Sequence, residues 1–152
     1  MVNQLHPDRS GIAIRLVRAW EPDEIADLYR VGGWWREDWD ASELPRLIRG
    51  SYAFAVAIDE KSGRAVGMGR IISDGVSDAY IQDVVVDPVF RHQGIGCMLV
   101  AELLTHCLSA GIAWIGCIAT PQTAGFYREL GFVTMNDYTP MLYGGGGGDL
   151  PL

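Results

Sequence analysis

The turn at residues 91–96, Arg-His-Gln-Gly-Ile-Gly, has the residue types of an anion-binding site. Gly94 and Gly96 tolerate positive φ and let the backbone approach a bulky ligand closely. Arg91 adds a fixed positive charge, and His92 could contact a phosphate group. Where such a turn opens a helix, the first backbone N–H groups lack an internal partner and the helix dipole adds positive potential. The segment therefore predicts a binding site for phosphate groups.

The flanking residues predict the strand and the helix that would position this turn. Residues 80–86 have the pattern of a strand that stops at Asp87-Pro88, and apolar side chains follow at helical spacing from Cys97 onward. The spacing excludes the two best-known phosphate loops. A Walker loop would carry Lys and then Ser or Thr after Gly94, and a dinucleotide fingerprint would carry three glycines.

A second motif lies downstream at residues 126–132, Phe-Tyr-Arg-Glu-Leu-Gly-Phe. Gly131 suits the left-handed position just past a helix end, and Phe132 begins an apolar run typical of a strand. Taken alone, the motif could be an ordinary capped helix with an aromatic residue in the core. Its occurrence after the anion-binding turn favours a functional pair of motifs.

The two motifs together resemble those of the GNAT N-acetyltransferase superfamily, and the chain is identified as a small single-domain member of bacterial type. The features that match are Val-x-Asp-Pro at the strand end, Arg-x-x-Gly-x-Gly in the turn, and Phe-Tyr followed by Leu-Gly-Phe. The resemblance implies an α/β (α+β) fold whose mixed central sheet has six to seven strands and about four flanking helices. It assigns the domain to residues 12–143, between tails at 1–11 and at the Gly-rich 144–152.

The patterns along the chain agree with this order of elements. Helices are predicted from Glu21-Pro22 onward, at residues 42–48, from the turn to Gly111, and around Phe126. Strands are predicted at residues 12–18, 52–58, 65–73, 79–86 and 112–119, with a closing pair at 132–135 and 138–143.

By resemblance, the chain would transfer an acetyl group from acetyl-CoA to a primary amine by direct attack. The backbone N–H of Val84 would polarise the thioester carbonyl, which is an oxyanion-hole role. The family usually has an asparagine seven residues before its tyrosine, where this chain has Thr120. The residues implied to bind acetyl-CoA are Val84, Val85, Val86, Arg91, His92, Gln93, Gly94, Ile95, Gly96, Cys97, Thr120 and Tyr127.

The resemblance also implies which residues act in catalysis. Tyr127 matches the tyrosine that gives a proton to the departing thiolate, although it could be a core residue. Tyr80 and Gln82 match the positions that carry the base in several relatives, yet neither is a good base at neutral pH. Asp83 is expected to face the opposite side of the strand. Proton removal is therefore expected through ordered water, near Tyr80, Gln82 and an acid such as Glu37 or Asp38.

The acceptor amine is expected near a tryptophan-rich acidic stretch. Trp34, Trp35 and Glu37 are the predicted acceptor-binding residues, and Trp39, Asp38 and Asp40 lie beside them. Aromatic faces attract ammonium groups and carboxylates steer them, so a small cationic or aromatic amine fits. Packing of the tryptophans against the sheet is the alternative.

Composition limits the remaining classes of function. The chain has 152 residues, 49% hydrophobic, and its net charge of −7 argues against a nucleic-acid partner. It has no signal-peptide pattern and no apolar run of the ~20 residues that span a bilayer, so we expect a cytoplasmic protein without a membrane partner. Cys97, Cys107 and Cys117 form no C-x-x-C pair, so reduced thiols and no metal site are expected.

Three questions stay open at this point. The chain could form a homodimer, and it could be a non-catalytic module that binds or senses acyl-CoA. It could also transfer an acyl group longer than acetyl.

Overall fold

The computed structural model describes residues 11–144, and its backbone divides after Cys117 into two compact units. The first unit contains a sheet of five strands in the described part of the chain, ordered β1-β2-β3-β4-β5. The strands are β1 (Ile12–Leu16), β2 (Ala53–Asp59), β3 (Arg64–Ser73), β4 (Asp78–Val86) and β5 (Trp114–Cys117). The first four pair antiparallel, whereas β4 and β5 run parallel and are joined by a helix.

Three α-helices belong to this unit, and their ends follow from local chemistry. They are α1 (Pro22–Val31), α2 (Leu44–Gly50) and α3 (Ile95–Ser109). Pro22 starts α1 at the position where a missing N–H costs nothing, and Asp23 and Glu24 lie in its first turn. Asp40 caps a short 3₁₀ turn before α2 by accepting the N–H of Ser42 at 2.8 Å. These helix starts agree with the sequence pattern.

The helices cover both faces of the sheet. On one face, Ile25 of α1 and Ile48 of α2 are fully buried in a core that also contains Met68 of β3. On the other face, α3 lies very close to β3, because two positions of β3 carry no side chain. A Cβ at Gly67 would lie 3.2 Å from Leu99 of α3. Gly69 shows the same spacing to the next turn of this helix.

A β-bulge interrupts β4 between Gln82 and Val85. Two residues, Asp83 and Val84, lie opposite the single position Gly69 of β3. Asp83 has a φ of 56°, the left-handed region that non-glycine residues rarely adopt. The bulge shifts the side-chain alternation of β4 by one residue.

The second unit contains α4 (Ala124–Glu129) among its described residues. Gly131 follows α4 with a φ of 95°, as its motif predicted. The closing strands predicted at 132–135 and 138–143 do not form in this structure, and β5 is shorter than predicted. Apolar side chains of this segment are exposed, with Val133 at 84% and Met141 at 90%, so no packed face orders them as strands.

The fold class is confirmed, with fewer strands than expected. The difference from six to seven strands comes from that last segment. The predicted tails fall almost wholly on residues 1–10 and 145–152, which lie outside the described part of the chain. None of the helices within residues 11–144 is long and apolar enough to cross a membrane.

Candidate functional site

The anion-binding turn lies between the end of β4 and the start of α3. Asp87 turns the chain out of the strand by accepting the N–H of Val89 at 2.9 Å. The guanidinium of Arg91 then donates from Nε to the carbonyl of Val86 at 3.0 Å, which ties the turn to the strand. His92 and Gly94 both have left-handed backbones, with φ of 60° and 80°.

This geometry directs backbone N–H groups outward at the start of α3. The first helical bond runs from the N–H of Met98 to the carbonyl of Gly94 at 3.0 Å, so three N–H groups precede the hydrogen-bond ladder. They belong to Ile95, Gly96 and Cys97. Residues 91–94 are exposed, whereas the side chain of Ile95 is buried and fixes the helix start. The turn therefore fits a diphosphate group.

The edge of β4 beside this turn is open toward β5. Pairing between the two strands ends at Ile81 with Cys117, so β5 no longer pairs with β4 at the bulge. The carbonyl of Val85 points toward β3, since it lies 3.1 Å from the Cβ position of Gly67. Peptide groups alternate along a strand, so those of Val84 and Val86 point to the open edge. An extended ligand chain could pair there as an added strand.

A hydrogen-bonded network holds the bulge from both sides. The hydroxyl of Tyr29 on α1 donates to Oδ2 of Asp83 at 2.7 Å, and Nε of Arg70 on β3 donates to the same oxygen at 2.5 Å. Arg70 also donates from Nη2 to the side-chain carbonyl of Gln82 at 3.3 Å. The ion pair is largely buried, with side-chain exposures of 17% for Arg70 and 19% for Asp83.

The network corrects one expectation from the sequence. Asp83 was expected on the face opposite Gln82, yet Arg70 contacts both side chains on the same face. The bulge is the physical reason, because it inserts one residue into the alternation. Tyr80, at the other predicted base position, is half-exposed and contacts Trp114 edge to face, with ring centroids 5.4 Å apart.

A cleft of ≈ 700 Å³ adjoins Arg70. Trp35 and Trp39 form part of its wall and contact each other edge to face at 5.8 Å. The other lining residues are Asp38, Asp40, Glu43, Leu44, Arg46, Leu47, Gly50 and Arg70. The cleft thus combines apolar walls with three carboxylates and two guanidinium groups.

Two of these carboxylates have lowered pKa values. Hydrogen bonds from the Arg36 guanidinium lower the pKa of Asp38, and the backbone N–H of Ser42 lowers the pKa of Asp40. Both groups are therefore ionised at neutral pH. Asp38 is ion-paired with Arg36 at 2.9 Å, so Asp40 supplies most of the negative charge that these two groups give the rim.

The remaining predicted acceptor residues do not line this cleft. Trp34 packs over Gly32 and contacts Tyr29 edge to face at 6.2 Å, and Glu37 is exposed. Of the three predicted residues, Trp35 alone lines the cleft.

The second unit, taken by itself, holds the other predicted residues. Tyr127 on α4 is half-buried between Phe126 and Phe132, with ring centroids 5.0 Å and 5.4 Å away. The hydroxyl of Thr120 lies 3.1 Å from that of Thr123, in the turn that precedes α4.

Comparison of the sequence with known protein families supports the fold described above. The model of the Acetyltransferase (GNAT) family matches residues 14–132, which span β1 to the end of the second motif. This chain belongs to the GNAT acetyltransferase family.

Individual relatives of this GNAT chain are similar over part of their length. It is 33% identical over 115 residues to GCN5-related N-acetyltransferase 1, chloroplastic, from Arabidopsis thaliana, covering 76% of this chain and 57% of that protein. It is 38% identical over 71 residues to serotonin N-acetyltransferase 2, chloroplastic, from Oryza sativa subsp. japonica, covering 47% of this chain and 36% of that protein. The chain spans about half the length of the curated relatives it matches.

A solved structure is similar over nearly its whole length. A GNAT-family acetyltransferase from Streptococcus pneumoniae superimposes with a TM-score of 0.73 and 27% identity, covering 87% of this GNAT chain and 96% of that protein. The expected family and fold are thus both confirmed.

Sequence reasoning missed Tyr29 and Arg70 in this GNAT chain. Tyr29 lies on the buried face of α1 with Ile25 and Leu28, where the sequence pattern indicates only packing. Arg70 is one residue of the strand predicted at 65–73. The available signal was Asp83 itself, a carboxylate within a run of valines on a strand that must be largely buried. Such a residue needs a cationic or hydrogen-bonding partner, although the sequence does not say which. Within residues 11–144, no group of His, Cys, Asp and Glu could hold a metal ion.

Burial raises the pKa of Tyr29 well above its ordinary value, and the neighbouring Asp83 carboxylate raises it further. Above pH ~10 the unfolded chain releases this proton while the folded chain keeps it. The stabilisation from Tyr29 is therefore complete below pH ~10 and declines as the pH rises beyond that value.

Replacing Tyr29 with Phe should remove this pH dependence together with the hydrogen bond to Asp83. At pH 9 we expect the free energy of unfolding to fall by about 1–3 kcal/mol, because a largely buried carboxylate loses a donor. The difference in free energy of unfolding between the wild type and Tyr29→Phe should be smaller at pH 11. Urea unfolding at both values measures it, with Tyr138→Phe as control for loss of an exposed phenol. A gap that widens with pH would contradict this account.

Proposed function

We propose that this chain transfers an acetyl group from acetyl-CoA to a primary amine. The observation that carries the proposal is the continuity of the open β4 edge with the anion-binding turn. Val86 ends the edge, and the anion-binding turn follows after a short 3₁₀ turn at Pro88–Phe90, with left-handed backbones at His92 and Gly94. This arrangement suits a ligand with a diphosphate at one end and an extended amide-bearing arm at the other.

The residues of the turn would bind the diphosphate of acetyl-CoA. The N–H groups from Ile95 to Cys97 would donate to its oxygens, and the dipole of α3 adds favourable potential. Arg91 contributes its charge while its Nε bond to Val86 limits its motion. The pantetheine arm would pair with the peptide group of Val84 and with the N–H of Val86, since the carbonyl of Val86 already accepts from Arg91.

Catalysis would need three actions by the chain. The N–H of Val84 would stabilise the negative charge that develops on the thioester oxygen when the amine nitrogen attacks the carbonyl carbon. The C–S bond then breaks, and the hydroxyl of Tyr127 would protonate the departing thiolate. The amine would lose its proton through ordered water near Tyr80 and Gln82.

The cleft beside Arg70 would receive the amine. Its tryptophan rings suit an aromatic amine or a cation, with Arg30 already over one face of Trp35 at 5.1 Å, and the ionised Asp40 favours a positive charge. The relative named for serotonin, an aromatic amine, supports this choice of acceptor class. We infer that small aromatic or cationic amines are the acceptors.

A thiol-release assay tests the proposal directly. Acetyl-CoA is incubated with the protein and a panel of amines that includes arylalkylamines, polyamines and amino sugars. Release of CoA thiol that depends on one of these amines supports acetyl transfer. Tight binding of CoA without thiol release from any amine would instead support a non-catalytic binding module. Propionyl-CoA and longer donors in the same assay measure acyl-chain preference.

Replacing Gly94 with Val should weaken binding of CoA at least tenfold, which corresponds to about 1.4 kcal/mol or more. A β-branched residue is strained at a φ of 80° and would narrow the approach to the turn. Calorimetry with CoA measures the effect. Gly50→Ala is the control, since an added Cβ there meets no atom within 4 Å. Unchanged affinity in folded Gly94→Val protein would exclude the turn as the diphosphate site.

Replacing Tyr127 with Phe should lower kcat by roughly 10²–10⁴-fold, the usual contribution of general acid catalysis. Binding of CoA should change little, because the hydroxyl acts only when the thiolate leaves. The assay is steady-state thiol release with the best amine, alongside calorimetry. Wild-type turnover would mean that Tyr127 serves only in packing between Phe126 and Phe132.

Replacing Trp35 with Ala should raise KM for a cationic amine about five- to thirtyfold, equivalent to the loss of one cation–π contact of about 1–2 kcal/mol. The Kd for acetyl-CoA should stay within twofold. Glu37→Gln is the comparison, because Glu37 is exposed and does not line the cleft, and we expect a smaller effect there. Equal losses in amine and acetyl-CoA binding would mean that Trp35 only supports the fold.

A further inference from the structure

The bulge in β4 determines the direction of the Val84 peptide group. Before the bulge, Gln82 faces α1, because Arg70 reaches both its side chain and Asp83. After the bulge, Val85 also faces α1, in the same core as Met68. A regular strand would place residues 82 and 84 on one face, whereas residues 82 and 85 share a face here. The bulge has therefore moved every later residue by one position.

This shift has a direct consequence for the open edge. In a pleated strand, the face of a side chain and the direction of its peptide group change together along the chain. Without the bulge, Val84 would turn its side chain toward α1 and its N–H toward β3. With the bulge, its side chain lies over Gly69 on the α3 face, and its N–H points to the open edge.

Asp83 is the residue that allows this change. Its φ of 56° is unfavourable for a side chain with a Cβ, so the conformation needs support from its surroundings. The support comes from two elements at once. Tyr29 of α1 and Arg70 of β3 donate to the same carboxylate oxygen, and both are shielded from solvent.

We propose that Asp83 is a positioning residue for acetyl transfer, held by Tyr29 and Arg70 so that the β4 bulge aims the N–H of Val84 at the thioester carbonyl. The inference rests on the proposed acetyltransferase function. In this role Asp83 fixes the backbone geometry of the site, and other groups remove the proton from the amine.

Three substitutions at Asp83 separate this role from that of a general base. Asn adopts left-handed backbone readily and its amide oxygen can still accept from Tyr29 and Arg70. Gly accepts the backbone conformation but has no side chain to hold. Ala has no acceptor for Tyr29 and Arg70, and its Cβ disfavours the left-handed backbone at residue 83. A positioning role therefore predicts activity in the order Asn, then Gly, then Ala.

The experiment measures kcat, KM for the amine and the Kd of CoA for the wild type and the three variants. We expect kcat to fall less than about threefold in Asp83→Asn and roughly 10- to 100-fold in Asp83→Ala. This loss is smaller than the roughly 10²–10³-fold cost of removing an oxyanion donor, because the N–H of Val84 is misdirected but still present. The Kd of CoA should change less than about threefold. Arg64→Gln is the control, since it removes an ion pair between Glu24 and an exposed arginine of β3, the strand that also carries Arg70.

A second readout does not depend on turnover. The amide resonance of Val84 should shift more with acetyl-CoA than with CoA in the wild type and in Asp83→Asn, but not in Asp83→Ala. If no amine is acetylated, the proposed function fails, and the amide shifts still decide the position of Val84. Equal loss of kcat in all three variants together with loss of the acidic limb of the pH profile would identify Asp83 as a base and overturn the proposal. An unchanged Val84 response in Asp83→Ala would also overturn it.

Discussion

The bulge at Asp83 is the constraint on which the candidate site depends, because β4 has to serve two purposes. It is a central strand that packs against helices on both faces, and it also presents peptide groups along one edge. A left-handed backbone at a non-glycine residue costs about 1–2 kcal/mol. Charge-assisted hydrogen bonds from Arg70, together with the bond from Tyr29, offset that cost. The same contacts tie α1 and β3 to the strand.

A second constraint fixes the position of the anion-binding turn relative to the open edge of β4. Gly67 and Gly69 let α3 lie close against β3, and a Cβ at either position would crowd the helix. The buried Ile95 holds the first turn of α3 against the first unit. The helix start therefore cannot move away from the end of β4. Short-range packing thus sets the distance between the N–H groups of the turn and the peptide groups of the edge.

The sequence predicts this arrangement up to the point where it depends on contacts between distant residues. The helix starts at Pro22 and Ile95 follow from local signals, and so does the left-handed Gly131. The bulge does not, because the partners of Asp83 are far away in sequence, at Tyr29 and Arg70. The closing strands were predicted from apolar residues alone. Such residues form strands only where a neighbouring strand or helix buries one face, and this segment remains exposed.

The overall charge of the chain means that local geometry has to dominate binding of the proposed acyl-CoA donor. A net charge of −7 repels a polyanion such as acetyl-CoA at long range. Salt limits that repulsion to about 8–10 Å at physiological ionic strength. Inside that distance, Arg91 and the N–H groups at the start of α3 would act directly on the diphosphate of the proposed donor. The same acidic surface favours approach of a cationic amine to the cleft beside Trp35. One charge distribution can therefore serve two substrates of opposite sign, provided that the positive groups are concentrated at the turn.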